Sequence, residues 1–209
     1  MLLDRIAVDY SGQLRDEKWT LYSHAFPPRS DERVLDVGVS SLDELPHENY
    51  FLSRYPYHHQ LTGVGITDLE PLRRAYPDAT FVQADGRELP FDDLAFDVVH
   101  SNAVVEHVGG ETEQRRFVHE LTRVARAGFV TTPERWFPFD THTRLPVCHW
   151  LPRPLMIRAF EALGRPERGI WLLSRRRFRR LFPPDVQVQV HSQRIAGWPA
   201  TTVVIFRRS

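Results

Sequence analysis

The chain has 209 residues, of which 42% are hydrophobic and 26% are charged, a balance typical of one soluble globular domain and not of a disordered or fibrous chain. Its 27 basic and 27 acidic residues cancel, so net charge alone favours no polyanionic partner. No apolar run could span a bilayer or serve as a signal peptide, and the single cysteine excludes an internal disulfide, so we expect a cytoplasmic protein.

The zero net charge hides two asymmetries. Residues 31–110 contain 15 acids and 5 arginines, whereas residues 151–209 contain 3 acids and 12 arginines. Lys18 is the only lysine, so the other basic residues are arginines, which stay charged and can hold a carboxylate or phosphate through two hydrogen bonds. We therefore expect an electrically polar molecule.

From about residue 33, short β-branched segments alternate with helical patterns, which predicts a parallel sheet with helices on both faces. The five predicted parallel strands are residues 33–37, 60–66, 80–84, 96–101 and 128–132. A helix is predicted at residues 111–125, where apolar side chains share one face. Before the first strand, residues 1–30 are predicted to form a cap that contains a helix at residues 13–24.

The C-terminal part has a different pattern. Two strand-like segments, residues 186–191 and 201–208, are joined by residues 192–200, which hold no helix long enough for a crossover. The two segments should therefore pair antiparallel. Together with the preceding strands they predict one sheet and a single domain over residues 1–209.

The turn after the first strand, in the segment VLDVGVSS, combines Asp36 with Gly38. A glycine lets the backbone approach a ligand closely, and Asp36 could accept a hydrogen bond from that ligand. The alternative is a tight turn that Asp36 caps. The G-x-G-x-x-G pattern of dinucleotide-binding enzymes is absent because the next glycine is Gly63, so an NAD-dependent oxidoreductase is disfavoured.

The next three strands also end in polar residues. Thr67 and Asp68 follow the second strand, where a carboxylate can accept two hydrogen bonds from a ribose diol; the alternative is that Asp68 caps the following helix. Asp85 and Gly86 follow the third strand, and Asp85 can accept a hydrogen bond from an exocyclic amine. Asn102 follows the fourth strand and precedes a predicted short helix.

The order of these segments resembles the class I S-adenosylmethionine-dependent methyltransferases, and within them the small type 11 group. The matching segments are VLDVG, the acid-bearing turn after the second strand, ADGRELPFDDLAFDVV and SNAVVEHV, which lie within residues 33–132. The resemblance implies an α/β fold, a Rossmann-like three-layer sandwich whose mostly parallel seven-stranded sheet ends in an antiparallel C-terminal hairpin. It also implies S-adenosyl-L-methionine as the cofactor and S-adenosyl-L-homocysteine as the product.

The cofactor contacts that the resemblance implies lie after the strands: Asp36, Gly38, Ser40, Thr67, Asp68, Asp85, Gly86 and Asn102. The chain departs from the family pattern at two places. The loop after the first strand lacks the second and third glycines of G-C-G-x-G, so its path must differ. Gly65 stands where the family places its ribose-binding acid, which leaves Thr67 or Asp68 as the nearest substitute.

The resemblance implies transfer of a methyl group to a small-molecule acceptor, and we expect the methylated atom to be a hydroxyl oxygen. If the acceptor is charged, the excess of arginine in the C-terminal part favours an anion. The alternative is a binding or partner protein that keeps the fold and has lost or altered its catalytic activity, which the two departures suggest.

The acceptor side is predicted after the fifth strand. Residues 133–152 form an insertion rich in proline and aromatic residues, and a long loop at this edge of a parallel sheet is placed to cover a pocket. The resemblance implies that Glu134, Arg135 and Trp136 face the acceptor, where Arg135 could pair with a carboxylate or phosphate; the alternative is a salt bridge from Arg135 to Glu134 or Asp140.

Residues 174–182 read as an amphipathic helix with a solvated basic face. The alternative is that this face docks an anionic lipid surface or a polyanion such as nucleic acid, which is disfavoured because the apolar side of the helix is needed for the core.

Two of the ten histidines are candidate catalytic bases, since an imidazole titrates near neutral pH. His107 lies five residues after Asn102, and its alternative role is to stabilise the end of the short helix with Glu106. His142 lies in the aromatic loop, where it either contacts the acceptor or hydrogen-bonds within the loop. No metal site is predicted, and the sequence does not specify an oligomeric state.

Overall fold

The computed structural model describes residues 2–41, 49–138, 147–162 and 169–208. The strands are β1 (Val34–Val37), β2 (Leu61–Gly65), β3 (Thr80–Gln83), β4 (Phe96–Asn102), β5 (Ala125–Pro133), β6 (Val186–Ile195) and β7 (Trp198–Arg208). The helices are α1 (Leu2–Ala25), α2 (Tyr50–Arg54), α3 (Glu70–Ala75), α4 (Glu111–Val124), α5 (Arg153–Ala162) and α6 (Arg175–Arg179). His142 lies outside the described residues.

All seven strands form one sheet in the order β3-β2-β1-β4-β5-β7-β6. The first five strands are parallel, and β7 pairs antiparallel with both β5 and β6. This confirms the predicted fold class, including the C-terminal hairpin. The chain leaves β1 toward β2 and β3, then returns to place β4 on the other side of β1. Ligands of such sheets bind in the crevice that this reversal opens at the carboxyl ends of the strands.

The sheet separates two apolar cores, because alternate residues of a buried strand point to opposite faces. One core includes Phe117 and Leu121 of α4 and Phe178 of α6, and the other includes Tyr22 of α1 and Phe51 of α2. The helix predicted at 111–125 therefore covers the sheet as expected. The N-terminal helix is longer than predicted and packs on the opposite face.

Two local predictions need correction. The segment after β4 forms turns where a short helix was predicted, and Ala103 adopts a left-handed φ of 57°. The strands of the C-terminal hairpin continue well into residues 192–200 and leave a two-residue turn at Ala196 and Gly197, with φ of 48° and 86°. Positive φ at both positions is typical of the type I′ turns whose twist matches that of the strands.

Candidate active site

The predicted site residues after β1 to β4 meet at one edge of the sheet, since parallel strands bring their carboxyl ends together. Each has a specific set of contacts. These residues fall into two groups. In the first group a polar atom remains available to contact a ligand at the edge, and in the second group the side chain is engaged by other residues of the protein.

Asp36 belongs to the second group. It is buried and pairs in register with His100 of β4, whose Nδ1 lies 2.7 Å from Asp36 Oδ1. His100 Nε2 lies 3.0 Å from the hydroxyl of Tyr50, and burial raises the pKa of Tyr50 well above its usual range. The ring of Phe51 stacks on His100 at 3.9 Å between centroids. Asp36 therefore joins β1, β4 and α2 through a buried hydrogen-bond chain beneath the crevice.

The loop after β1 turns at Gly38, whose backbone adopts a left-handed conformation. Gly38 has a φ of 108°, its amide donates to the carbonyl of Val64 at 2.8 Å, and a Cβ at this position would collide with Val104. Asn49 then holds Ser40 from both sides, accepting a hydrogen bond from its amide at 3.1 Å and donating one to its carbonyl at 2.6 Å.

The departure at Gly65 has a structural reason. A Cβ on Gly65 would collide with the carbonyl oxygen of Val39, so the loop after β1 occupies the space that an acidic side chain would need. Of the two predicted substitutes, Asp68 accepts a hydrogen bond from the amide of Glu70 at 3.0 Å at the start of α3. The hydroxyl oxygen of Thr67 is buried and has no hydrogen-bond partner among the described residues.

Asp85 and Gly86 close the turn after β3. Asp85 accepts hydrogen bonds from the backbone amide of Arg87 at 2.9 Å and from its guanidinium, which lowers the pKa of the Asp85 carboxyl. The side chain of Asp85 remains 44% exposed at the sheet edge. Gly86 packs so closely against Phe117 of α4 that a Cβ would collide with its ring.

Asn102, at the end of β4, meets a residue that sequence reasoning missed. Lys18 of α1 is buried, and its Nζ donates to Asn102 Oδ1 at 2.8 Å. Burial, helped by the nearby charge of Arg15 and opposed by that of Glu106, lowers the pKa of Lys18 to about 8. The available sequence signal was spacing, since Lys18 lies one helical turn before Tyr22, which is buried.

The three predicted acceptor residues differ in their contacts. Glu134 is buried and accepts hydrogen bonds from the amide of Arg175 at 2.9 Å and the hydroxyl of Thr202 at 2.8 Å, so it fixes the chain after β5. Arg135 lies over the ring of Trp136 at 5.6 Å, and Trp136 is 53% exposed.

The Arg135 guanidinium is half-buried and makes no ion pair with any described residue. Burial lowers its pKa, and the nearby Arg177 lowers it further. The ring of Trp136 also approaches that of Trp150 at 6.2 Å. A cation and two indole rings thus meet after β5, where the acceptor is predicted to bind.

Of the two candidate bases, only His107 lies in the described part of the chain. Its side chain is 44% exposed, and its Nε2 lies 4.0 Å from Oε1 of Glu106, which is fully buried. Glu106 also accepts a hydrogen bond from the hydroxyl of Thr132 at 3.1 Å. No metal-binding group of three side chains occurs among the described residues. Within the same residues, none of the helices has the length and apolar character needed to cross a membrane.

Comparison with known proteins gives the family. Residues 47–130 match the family model described as a methyltransferase domain. A demethylmenaquinone methyltransferase from Roseiflexus castenholzii is 32% identical over 185 residues, which cover 84% of this chain and 71% of that protein. The chain belongs to the class I S-adenosylmethionine-dependent methyltransferases. It is therefore an enzyme with S-adenosylmethionine as its cofactor.

Solved structures share the fold of this methyltransferase. A methyltransferase from Methanosarcina mazei has a TM-score of 0.59 at 16% identity, covering 86% of this chain and 93% of its own. The magnesium protoporphyrin IX methyltransferase of Synechocystis, with bound S-adenosylhomocysteine, has a TM-score of 0.58 at 14% identity, covering 94% of this chain and 83% of its own.

The described residues of the methyltransferase fit the cofactor. The buried hydroxyl of Thr67 lacks a partner in the described part of the chain, and a buried polar atom of this kind is usually hydrogen-bonded. A ribose hydroxyl beside Gly65 would satisfy it. The half-exposed carboxylate of Asp85 and the left-handed turn at Gly38 lie on either side of this position, at the ends of β3 and β1.

Proposed function

We propose that the enzyme methylates a hydroxyl oxygen of a small, planar acceptor that carries a negative charge. The observation that carries the proposal is the group formed by Arg135, Trp136 and Trp150. Two indole rings offer apolar faces to a planar molecule, and a guanidinium without an ion-pair partner among the described residues offers two parallel hydrogen bonds to an anion.

On this proposal the cofactor lies across the carboxyl edge of β1 to β4. Asp85 and Gly86 contact its adenine, and Thr67 contacts its ribose. Gly38 and Ser40 lie on either side of its methionine part. Asp36 does not contact the cofactor directly, because its carboxylate is buried and engaged by His100, whereas the exposed Asp68 caps the start of α3 through Oδ1. The cofactor, when bound, supplies an activated methyl group, and the protein has to align an oxygen behind it.

The acceptor hydroxyl must also lose its proton as it is methylated. We assign this proton to Nε2 of His107, whose side chain is half-exposed near the end of β4, with the buried carboxylate of Glu106 next to it. A neighbouring carboxylate favours the protonated imidazole and so supports a base. His142, outside the described residues, is the second candidate base. The C-terminal arginines favour small anions, and nucleic acid is not proposed as an acceptor.

A panel of hydroxylated aromatic acids, matched neutral phenols and demethylmenaquinone tests the proposal with S-adenosylmethionine labelled in its methyl group. We include demethylmenaquinone because the Roseiflexus relative is named for it. We expect O-methylated product from at least one acid. Arg135→Ala should raise the KM for that acid roughly tenfold with little change in kcat, because it removes a contact made equally before and during reaction.

Arg74→Ala is the matched control, since Arg74 is exposed on α3 beside β3, the strand at the opposite end of the sheet from the acceptor side. It should leave the KM unchanged. Product methylated on carbon or nitrogen, or an Arg135→Ala enzyme with the wild-type KM for every acid, contradicts the proposal.

A further inference from the structure

A hydrogen-bond chain under the crevice fixes the orientation of one side-chain amide. The backbone amide of Ala103 donates to the hydroxyl of Thr131 at 3.2 Å, and that hydroxyl donates to Asn102 Oδ1 at 2.8 Å. Lys18 Nζ donates to the same oxygen, also at 2.8 Å. Asn102 Oδ1 therefore receives two hydrogen bonds, one from β5 and one from α1.

Donors alone can surround an amide oxygen, but they cannot face an amide nitrogen. An ammonium group has no acceptor, so Lys18 can face only the oxygen of the Asn102 amide, whereas the Thr131 hydroxyl could face either end of it. The reversed amide would point its N–H groups at Lys18 and lose the hydrogen bond from the ammonium group. The two N–H donors of Asn102 are thus turned away from Lys18, and no acceptor for them occurs among the described residues.

We propose that Lys18 is a positioning residue, which holds the Asn102 amide so that its Nδ2 donates toward the reacting end of the site. This inference rests on the proposed function for the location of the reacting atoms. A preorganised N–H donor can bind the acceptor oxygen in the geometry that methyl transfer needs. The Asn102 amide then does not have to reorient during the reaction, which would cost free energy.

The burial of Lys18 indicates that this residue has a function besides packing. A buried amine loses its hydration, and an apolar side chain of the same length would fill the same space more favourably. Asn102 Oδ1 would still be satisfied by Thr131 if Lys18 were replaced. Neither packing nor hydrogen-bond satisfaction therefore requires a lysine at this position.

The first test reads the amide directly and needs no acceptor. In a proton–nitrogen correlation spectrum, the side-chain pair of Asn102 is assigned as the pair lost in Asn102→Ala. We expect its shifts to titrate with a midpoint near pH 8 in the wild type, where Lys18 releases its proton, and to lose that titration in Lys18→Met.

The charged groups that act on Lys18 are Arg15 from α1 and Glu106 from the turn after β4. Arg15 stays protonated, and any response to Glu106 persists in Lys18→Met, so the comparison isolates the amine. An Asn102 pair that titrates identically in both proteins overturns the proposal, whatever the acceptor proves to be.

The second test uses an acceptor found by the panel. Lys18→Met should lower kcat roughly tenfold or more while the dissociation constant for S-adenosylhomocysteine, measured by calorimetry, changes less than threefold. On an Asn102→Ala background the same substitution should have no further effect, because the amide it positions is gone. A merely structural role would lower kcat equally on both backgrounds, and that additive result contradicts the proposal.

Discussion

Lys18 is buried against the end of β4 with a pKa lowered to about 8, whereas a lysine in an unfolded chain titrates near 10.5. Between these two pH values the unfolded chain binds more protons than the folded one. Folding stability must therefore rise with pH across this window and be lowest below it. Over the whole window, a pKa shift of this size changes the free energy of unfolding by about 3 kcal/mol.

Lys18→Met removes this effect, since methionine has no proton to release. We expect its free energy of unfolding at pH 7 to exceed that of the wild type by about 1 to 2 kcal/mol, because loss of one hydrogen bond offsets part of the gain. Urea unfolding at pH 7 and pH 9 measures the difference in the free energy of unfolding between the variant and the wild type, and this difference should be smaller at pH 9. A variant less stable than the wild type at pH 7 would show that the amine does not destabilise the fold.

Sequence reasoning found the edge residues but not their contacts. The order of motifs places Asp36, Asp85 and Asn102 at strand ends, and the structure has them there. That Asp36 faces His100 depends on the register of β1 against β4, which no local pattern encodes. Likewise, the contact between Lys18 and Asn102 joins residues 84 positions apart, and depends on how α1 lies on the sheet.

At the scale of elements, the helix predicted at residues 174–182 is shorter in the structure, Arg175–Arg179. The predicted parallel strands and the helix predicted at residues 111–125 agree with the structure, because their periodicity comes from their own side chains. The ends of β6 and β7 do not. Polar residues after His191 suggested a connector, yet β6 continues to Ile195 as the edge strand of the sheet. Gln193 is held there by its hydrogen bond to the carbonyl of Leu14 in α1, at 3.0 Å. Tertiary contact thus extends a strand that local composition would end.

The turn of this hairpin can be improved. Ala196 has a φ of 48°, which is unfavourable for alanine and well tolerated by asparagine. Ala196→Asn should raise the free energy of unfolding by about 0.5 to 1 kcal/mol, measured in urea.

Gly197→Ala is the matched opposite change at the next residue, where φ is 86° and space is open. It should lower stability by about 1 kcal/mol, through backbone strain alone. If both substitutions prove neutral, the turn does not hold the two positive φ angles.

For the whole molecule, the uneven charges have a kinetic consequence. Residues 31–110 hold most of the strands proposed to bind the cofactor and the excess of acid, whereas residues 151–209 hold the excess of arginine, including Arg177 near the proposed acceptor contact Arg135. None of the arginines from 175 to 180 forms an ion pair with a described residue. Their field therefore extends into solvent, where it attracts anions until salt screens it.

We expect kcat/KM for an anionic acceptor to fall several-fold between about 10 mM and 300 mM salt, because electrostatic attraction to this region weakens. A neutral acceptor of the same shape should show little change, which controls for effects of salt on the fold. Equal sensitivity of the two acceptors would mean that the charge asymmetry has no part in acceptor capture.

The contact between Val39 and Gly65 makes two positions of the enzyme interdependent. An acidic side chain at residue 65 has no space while the Val39 carbonyl lies above it, and that carbonyl can move only if the loop after β1 takes another path. Each change alone should be harmful. An acidic side chain at residue 65 would clash with the present loop, and a loop with another path would leave empty space beside Gly65 unless an acidic side chain filled it. Redesign of the ribose contact toward the commoner family form therefore has to alter the loop and the strand end in a single step.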